Sequence, residues 1–133
     1  MVKKLLFFSG ILLLAAGCNS AQPAAPAPAS AGNQQQGAVD QAGVKIFTVK
    51  GTNFSFSPST ITVKKGDKVK IVFQDDDGFH DLVVSGYNAQ TKRVNSGQSS
   101  EVTFTADKTG TFEYYCSVGN HREKGMKGSL IVE

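Results

Sequence analysis

The sequence predicts an all-β fold for residues 44–133, a Greek-key sandwich or barrel of about 7–8 strands. Apolar Val69, Ile71 and Phe73 alternate with polar neighbours, and this period of two is typical of strands that bury one face. Turn-forming residues recur between the alternating stretches. No window in this part of the chain keeps a helical period, so we expect strands alone.

Short alternating or apolar stretches supply the predicted strands. In chain order these stretches are 44–50, 53–57, 60–63, 68–74, 81–85, a short 91–94, 100–106, 111–116 and 129–133. Turn chemistry separates them at Ser57-Pro58-Ser59, Lys65-Gly66-Asp67, Asp77-Gly78, Ser96-Gly97 and Thr109-Gly110. Many short strands with regular turns are typical of a sandwich or barrel rather than of an α/β fold.

Residues 1–17 are predicted to be an export signal. Lys3 and Lys4 precede an almost unbroken apolar run over residues 5–16. Such a run is too short to cross a bilayer of about 30 Å, which needs roughly 20 residues. A short apolar run after two lysines is typical of a secretory signal.

The end of this segment, Leu14-Ala15-Ala16-Gly17-Cys18, resembles the lipobox of bacterial lipoprotein precursors. The resemblance implies that Cys18 is lipid-modified and becomes the new N-terminus, although Ala15 stands where Leu is commonest. Cleavage after Cys18 and an uncleaved anchor are the alternatives. Lipidation implies a protein that is exported and anchored on the extracytoplasmic side of a membrane, in the periplasm or at the cell surface.

Residues 18–43 are predicted to be a disordered tether. They are rich in Ala, Pro and Gln, carry a single charge at Asp40 and have almost no large apolar side chains. Such a segment cannot bury a core, so we assign it no secondary structure. The predicted domains are therefore 1–17, 18–43 and 44–133.

The charge balance argues against a nucleic-acid partner. The chain has 14 Lys and Arg and 11 Asp and Glu, and leaving out Lys3 and Lys4 of the leader leaves 12 basic residues. This is too balanced for a nucleic-acid surface. The two cysteines, Cys18 and Cys116, are assigned different roles, so we expect no disulfide between them. We also expect the protein to be a monomer.

The last eighteen residues carry the most informative pattern of the chain. Cys116, His121 and Met126 follow one another as Cys-x4-His-x4-Met, and His80 lies upstream next to a different predicted strand. Two imidazoles and a thiolate with a weak thioether form a known copper ligand set. Alternation within 111–116 places the Cys116 side chain on the inward face, beneath the loop that follows.

Each of these residues has a plainer interpretation when it is taken alone. Cys116 is then a buried structural thiol and His80 a turn residue. His121 is an exposed loop side chain, and Met126 fills the core. Taken together they are the only two His, the only Cys outside the leader and the only Met besides the initiator, all at strand ends that a Greek-key sandwich brings together.

At these residues the chain resembles the cupredoxins, small blue-copper proteins. The similarity covers residues 44–133, and its matching pieces are Phe54-Ser55-Phe56-Ser57-Pro58, Gly66-Asp67, Asp77-Gly78-Phe79-His80, Gly110-Thr111-Phe112-Glu113-Tyr114-Tyr115-Cys116 and the ligand loop. The resemblance implies the cupredoxin fold and a single copper ion bound by His80, Cys116, His121 and Met126. The ligand-loop spacing is similar to that of rusticyanin and auracyanin.

The resemblance also implies roles for residues beside the ligands. We expect Asp81, Ser117 and Asn120 to surround them; Asp81 replaces the Asn that is usual in plastocyanin-like members. That side chain ties the two ligand loops together in the family, and Asp81 can do so by accepting a hydrogen bond from Ser117. Tyr115 is expected on the outer face, as a second electron route and docking contact or as an ordinary exposed aromatic.

One acidic and one basic surface are candidates for partner docking. The run Asp75-Asp76-Asp77 is either a docking patch for a basic partner or simply a solvated turn. Arg122, Lys124 and Lys127 surround the expected open end of the site and favour an acidic partner instead. Docking of this kind mainly raises the association rate and weakens with salt.

The implied function is a membrane-tethered one-electron carrier, in which copper alternates between Cu(II) and Cu(I). Its partners would be redox proteins such as a cytochrome or an oxidase. We expect no enzyme activity, since one Cys in the loop is too few for a two-copper centre and the chain has no further His for a catalytic copper. Copper delivery, storage or resistance is the alternative, and a metal-free adhesion or sensory module is disfavoured because all four ligands are present.

Overall fold

The computed structural model describes residues 37–40 and 42–133, which contain twelve strands and no helix. The strands are β1 Ala38–Val39, β2 Lys45–Thr52, β3 Ser55–Ser57, β4 Thr60–Val63, β5 Lys68–Asp75, β6 Phe79–His80, β7 Val83–Val84, β8 Ala89–Gln90, β9 Val94–Asn95, β10 Ser99–Thr105, β11 Gly110–Tyr115 and β12 Lys127–Val132. The predicted all-β fold is therefore confirmed. The count exceeds 7–8 because several strands are only two residues long.

The strands form two main sheets and one short ribbon. The first sheet has the order β1-β2-β5-β10, with β3 also paired to β2. The second has the order β4-β12-β11-β7-β8, and β6 pairs with β9 as a separate ribbon. The β2–β5 and β4–β12 pairs are parallel and the others antiparallel.

One core lies between the two main sheets. Phe73 from the first sheet contacts Phe56 edge to face, with ring centroids 5.9 Å apart, and Phe56 lies 5.6 Å from the ring of Tyr114 in the second sheet. Aromatic pairs at such distances add to the stabilisation that burial of their surface provides. The buried set is continuous, so the two sheets form a sandwich.

Alternation in β5 sets the inward face as predicted and extends it by one position. Val69, Ile71 and Phe73 are fully buried, whereas the intervening residues are half-buried or exposed. The predicted strand ended at residue 74, but β5 continues to Asp75. Because Asp75 has the same phase as Phe73, its carboxylate points into the protein.

The region between residues 79 and 95 differs from the prediction of strands at 81–85 and 91–94. His80, Asp81 and Leu82 are all fully buried in succession, which is incompatible with a strand that alternates between core and solvent. The Leu82 amide donates to the Thr91 side-chain hydroxyl at 2.9 Å instead of to a backbone carbonyl of a neighbouring strand. Two short hairpin pairs, β6–β9 and β7–β8, therefore replace the longer predicted strands.

Ordered structure begins earlier than the predicted boundary at residue 44. Ala38 and Val39 pair with Ile46 and Lys45, although residues 18–43 were predicted to lack secondary structure. The turn is closed by Asp40, whose carboxylate accepts hydrogen bonds from the amides of residues 42 and 44. An Asp that bonds the backbone ahead of it favours such turns.

The predicted signal peptide, Cys18 and the rest of the tether lie outside the described residues. The residues that the structure does not describe are 1–36 and 41. In the part of the chain that the structure does describe, no helix is long and apolar enough to span a bilayer. Export and lipid attachment therefore stay predictions.

Asp67 stabilises the turn between β4 and β5, and its contribution should depend on pH. Its carboxylate accepts hydrogen bonds from Lys45 Nζ and the Lys64 amide, both at 2.6 Å. Burial alone would raise the pKa of Asp67, but these two contacts outweigh it and lower the pKa below its usual value. A lowered pKa means stabilisation that is complete above the unfolded-state value of about 3.9 and is lost as the pH falls through the folded value.

We expect Asp67→Asn to lower the free energy of unfolding of the metal-free protein by about 1 kcal/mol at pH 7. The difference from wild type should shrink as the pH is lowered below 4, because the wild-type carboxylate then takes up a proton. Urea denaturation at pH 7 and at pH 3 measures both values. Exposed Asp107→Asn is the matched control, and an equal loss for Asp67→Asn at the two pH values would contradict the assignment.

Candidate metal centre

Cys116 follows the last residue of β11 and points into the sandwich as predicted. The thiol residue is 1% exposed and shares its face with the fully buried Tyr114. Its amide donates to the carbonyl of Met126 at 3.1 Å, so the strand end is bonded to the start of the last strand. This backbone contact places Cys116 and Met126 side by side.

The loop between Cys116 and Met126 is closed by its own backbone. The His121 amide donates to the carbonyl of Val118 at 3.1 Å, and the Met126 amide donates to the carbonyl of His121 at 3.0 Å. Gly119 and Gly125 have φ values of 50° and 108°, a region that favours glycine. The loop therefore folds back on itself and returns the chain to β12.

Three of the four predicted ligands are in direct or near contact. Cys116 Sγ lies 3.6 Å from His121 Nδ1, and the rings of His80 and His121 have centroids 5.0 Å apart. His80 and Met126 are fully buried, whereas His121 is half-buried. The Met126 backbone is hydrogen-bonded to the backbones of Cys116 and His121, which places the fourth predicted ligand beside the other three in the loop.

His80 is turned towards a buried carboxylate. Its Nδ1 lies 3.1 Å from Oδ1 of Asp75, and both side chains are completely buried. Its Nε2 is buried and has no hydrogen-bond partner among the described residues. In this arrangement no three His, Cys, Asp or Glu side chains of the described residues gather into a metal-binding group.

The donor set nevertheless fits a soft transition metal. Buried polar atoms in folded proteins are nearly always paired, so a His80 Nε2 without a partner among the described residues requires an explanation. A thiol, two imidazoles and a thioether at one end of a sandwich are the donors that copper prefers. A carboxylate bonded to the second ring nitrogen is a common partner of a metal-binding His.

Asp81 joins the two loops that carry His80 and Cys116. Its Oδ1 accepts from the Ser117 amide and its Oδ2 from the Ser117 hydroxyl, both at 2.6 Å, so the expected hydrogen bond is present. The side chain is fully buried. Burial would raise the pKa of Asp81, but the hydrogen bonds from Ser117, Gln90 and Arg93 outweigh burial and lower the pKa.

The protonation of the two nearby candidate ligands follows from their surroundings. Burial, with the Asp81 charge in addition, raises the pKa of the Cys116 thiol. Burial, together with the charges of His80 and Lys124, lowers the pKa of His121. The lowered pKa favours the neutral form of His121, which is the form that binds metals, whereas the thiol must release its proton when a metal binds.

Tyr115 and Asn120 each precede a candidate ligand in the chain, and their contacts described here are with Arg122 and Lys124. Tyr115 is half-buried, and the guanidinium of Arg122 lies 4.2 Å from its ring centroid. Arg122 Nε also donates to Glu113 Oε1 at 2.5 Å, so the loop is fastened to β11. Asn120 is exposed, and its carbonyl accepts from the Lys124 amide at 3.1 Å.

Sequence reasoning missed Asp75, Gln90 and Arg93. Asp75 was placed in a surface acidic run, but it is buried against His80, which removes it from any docking patch. The alternation of β5 carries the signal that would have placed it inward. Gln90 and Arg93 both bond Asp81, at 3.1 and 3.4 Å, and no local pattern indicates this.

A small β-sandwich with a buried thiol beside an imidazole at one end is the architecture of the cupredoxin class. The chain belongs to the cupredoxin-like domain family, whose family model matches residues 10–132. The resemblance that the sequence motifs indicated is thereby confirmed.

The relatives found by comparison include a cuproprotein and a reductase. The copper-resistant cuproprotein CopI of Rubrivivax gelatinosus is 28% identical over 107 residues, which cover 65% of this chain and 65% of CopI. The nitrous-oxide reductase of Pseudomonas fluorescens is 33% identical over 84 residues, which cover 59% of this chain but only 13% of the reductase. The chain thus spans less than two thirds of either relative.

Among solved structures the fold is similar to that of auracyanin A, described as a "blue" copper protein from Chloroflexus aurantiacus. The TM-score is 0.61 and the identity 23%, and the match covers 68% of this chain and all of auracyanin A. At this identity the likeness shows the fold alone.

Proposed function

We propose that this protein is a one-electron carrier that holds one copper ion with His80, Cys116, His121 and Met126. The observation that supports this most is the 3.6 Å contact between the buried Cys116 Sγ and His121 Nδ1. It lies next to a His80 ring whose Nε2 has no hydrogen-bond partner in the described part of the chain. Bound copper would supply the Cu(II)/Cu(I) couple.

The residues around the site suit a centre that changes little during electron transfer. Cys116 and Met126 are joined by a backbone hydrogen bond, and Asp81 joins the His80 and Cys116 loops through Ser117. Asp75 holds the His80 ring in one orientation. A ligand set held rigidly in this way, with His80, Cys116 and Met126 buried, keeps the reorganisation on electron transfer small.

His121 is the candidate ligand nearest the surface and the proposed exit for the electron. Its ring lies 4.9 Å from that of Phe54, which the Lys124 ammonium caps at 4.4 Å. We propose that redox proteins such as a cytochrome or an oxidase dock at this end, with Tyr115 as a second route. The protein would have no enzyme activity and no nucleic-acid partner, and would act as a monomer.

The proposed location is outside the cytoplasm, with the folded domain tethered to a membrane through lipidated Cys18. The residues that support this are the basic start, the apolar run and the Leu14–Cys18 segment. Mass spectrometry of the protein purified from membranes tests it. An acyl-modified N-terminal Cys18 is expected, and an unmodified N-terminus elsewhere would refute it.

Copper delivery or resistance is the second candidate function, and the similarity to CopI favours it. A carrier keeps its metal in both oxidation states, whereas a delivery protein transfers Cu(I). A reversible voltammetric wave without loss of copper to a chelator would support the carrier. Rapid transfer of Cu(I) to an apo acceptor would support delivery instead.

We expect Asp81→Asn to raise the reduction potential by roughly 50 mV, close to a tenfold change in a one-electron equilibrium. Removing a buried negative charge beside the ligands favours Cu(I) over Cu(II). Protein-film voltammetry measures the shift, with exposed Asp107→Asn as a control of equal charge change. An unchanged or lowered potential would refute the prediction.

A further inference from the structure

We propose that Gln90 and Arg93 are positioning residues for Asp81. They hold its carboxylate in place as a charged link, here called the brace, between the loops that carry His80 and Cys116. Arg93 also balances the negative charge of Asp81. The expected effect on the reduction potential of bound copper rests on the proposed function. The expected effect on the two loops does not require a metal and can be tested in the metal-free protein.

The contacts form a closed network around one buried carboxylate. Asp81 Oδ2 accepts from the Ser117 hydroxyl at 2.6 Å, from Gln90 Nε2 at 3.1 Å and from Arg93 Nε at 3.4 Å. Arg93 Nη2 also lies 3.3 Å from Ser117 Oγ. Arg93 therefore touches both ends of the Asp81–Ser117 connection.

Charge explains why the brace needs Arg93. A fully buried carboxylate is costly unless it is paired and hydrogen-bonded, and Ser117 supplies two donors but no positive charge. Arg93 supplies that charge, although its side chain is 53% exposed and solvent screens it. At 3.4 Å its hydrogen bond is long, so the charge is expected to matter more than the bond itself.

The hairpin positions of Gln90 and Arg93 connect them to the candidate ligands through the backbone as well. Gln90 belongs to β8 and pairs with Val83 of β7, and Arg93 precedes Val94, which pairs with His80. The strand partner of His80 is thus adjacent to the residue that contacts Asp81. A change at Arg93 would reach both the His80 ribbon and the Cys116 loop.

The test compares Arg93→Gln with Lys92→Gln, which removes the same charge at the neighbouring exposed position. In the metal-free protein we expect the Ser117 amide to exchange about threefold faster or more in Arg93→Gln, since a weaker brace frees its bond to Asp81. Lys92→Gln should leave this exchange unchanged. Equal exchange in the two variants would overturn the proposal.

The same variants loaded with copper test the electrostatic part. Loss of the Arg93 charge should lower the reduction potential relative to Lys92→Gln, whereas Arg93→Lys should keep it near wild type.

The effect of Arg93→Gln on the exchange of the Ser117 amide should also shrink in an Asp81→Asn background, because the brace is then uncharged. Equal effects in both backgrounds would overturn the proposal. A protein that forms no coloured copper complex would instead refute the proposed function, while amide exchange still decides the brace.

Discussion

Cys116→Ser is expected to abolish the intense visible colour of the copper-loaded protein and to weaken Cu(II) binding by more than about 100-fold. A thiolate bound to copper gives the strong absorption, and a serine hydroxyl stays protonated and is a poor ligand. The buried thiol lies 3.6 Å from His121 Nδ1. Met126 is the only other sulfur-containing residue in the part of the chain that the structure describes. Visible spectroscopy with one equivalent of Cu(II) measures the colour, and chelator competition the affinity.

Cys18→Ser is the matched control for this prediction, because Cys18 is the only other cysteine of the chain. It should keep the full colour and the affinity of wild type. The metal-free Cys116→Ser protein should remain folded, since its amide still donates to the Met126 carbonyl. A coloured complex in Cys116→Ser, or loss of colour in Cys18→Ser, would contradict the assigned ligand.

Local patterns were sufficient to predict the parts of the fold that depend on one strand at a time. Alternation placed Val69, Ile71 and Phe73 in the core and Cys116 on an inward face. These positions depend on the pleat of the strand and on the hydrophobic effect, both of which act over a few neighbouring residues. The hydrogen bond between Asp81 and Ser117 was predicted from the family resemblance rather than from local pattern.

Contacts between distant segments were not predictable in the same way. The bonds from Gln90 and Arg93 to Asp81 join residues 9 and 12 positions apart through a hairpin that the prediction did not contain. The predicted strand over residues 81–85 is interrupted because His80, Asp81 and Leu82 are buried in succession, with His80 against Asp75 and Asp81 against Ser117. Such features depend on tertiary packing, which overrides the intrinsic preference of a strand.

Gly128 shows how a correct motif can receive the wrong physical reason. From the sequence alone, its place near the ligand loop predicts that Gly128 gives the loop backbone freedom, together with Gly119 and Gly125. The φ angle of Gly128 is not positive, so the backbone there does not require glycine. Gly128 lies in β12, directly opposite Tyr114 of β11. The structure indicates that a missing side chain, rather than a special backbone angle, is what this position requires.

We expect Gly128→Ala to lower the free energy of unfolding by about 3 kcal/mol, the upper part of the range for overpacked cores. A methyl group on Gly128 would lie 2.3 Å from Cζ and 2.5 Å from Oη of Tyr114. That ring cannot move aside easily, because it is fully buried and its hydroxyl donates to the Pro58 carbonyl at 2.6 Å. Urea or thermal unfolding of the metal-free protein measures the loss.

The same clash should also weaken copper binding, which distinguishes it from a purely local defect. Gly128 and Tyr114 pair across β12 and β11, the two strands whose ends carry Met126 and Cys116. Forcing the strands apart would lengthen the bond between the Cys116 amide and the Met126 carbonyl. Chelator competition should therefore show weaker binding in Gly128→Ala.

A double-mutant cycle separates the Tyr114 clash from a general cost of alanine in β12. In a Tyr114→Leu background, where the ring is gone, Gly128→Ala should cost less than about 1 kcal/mol, giving a coupling energy of roughly 2 kcal/mol. Ser129→Ala, a change to alanine at the next position of the same strand, should cost less than about 1 kcal/mol. If Gly128→Ala were equally destabilising in both backgrounds, contact with Tyr114 would not be the reason for glycine at this position.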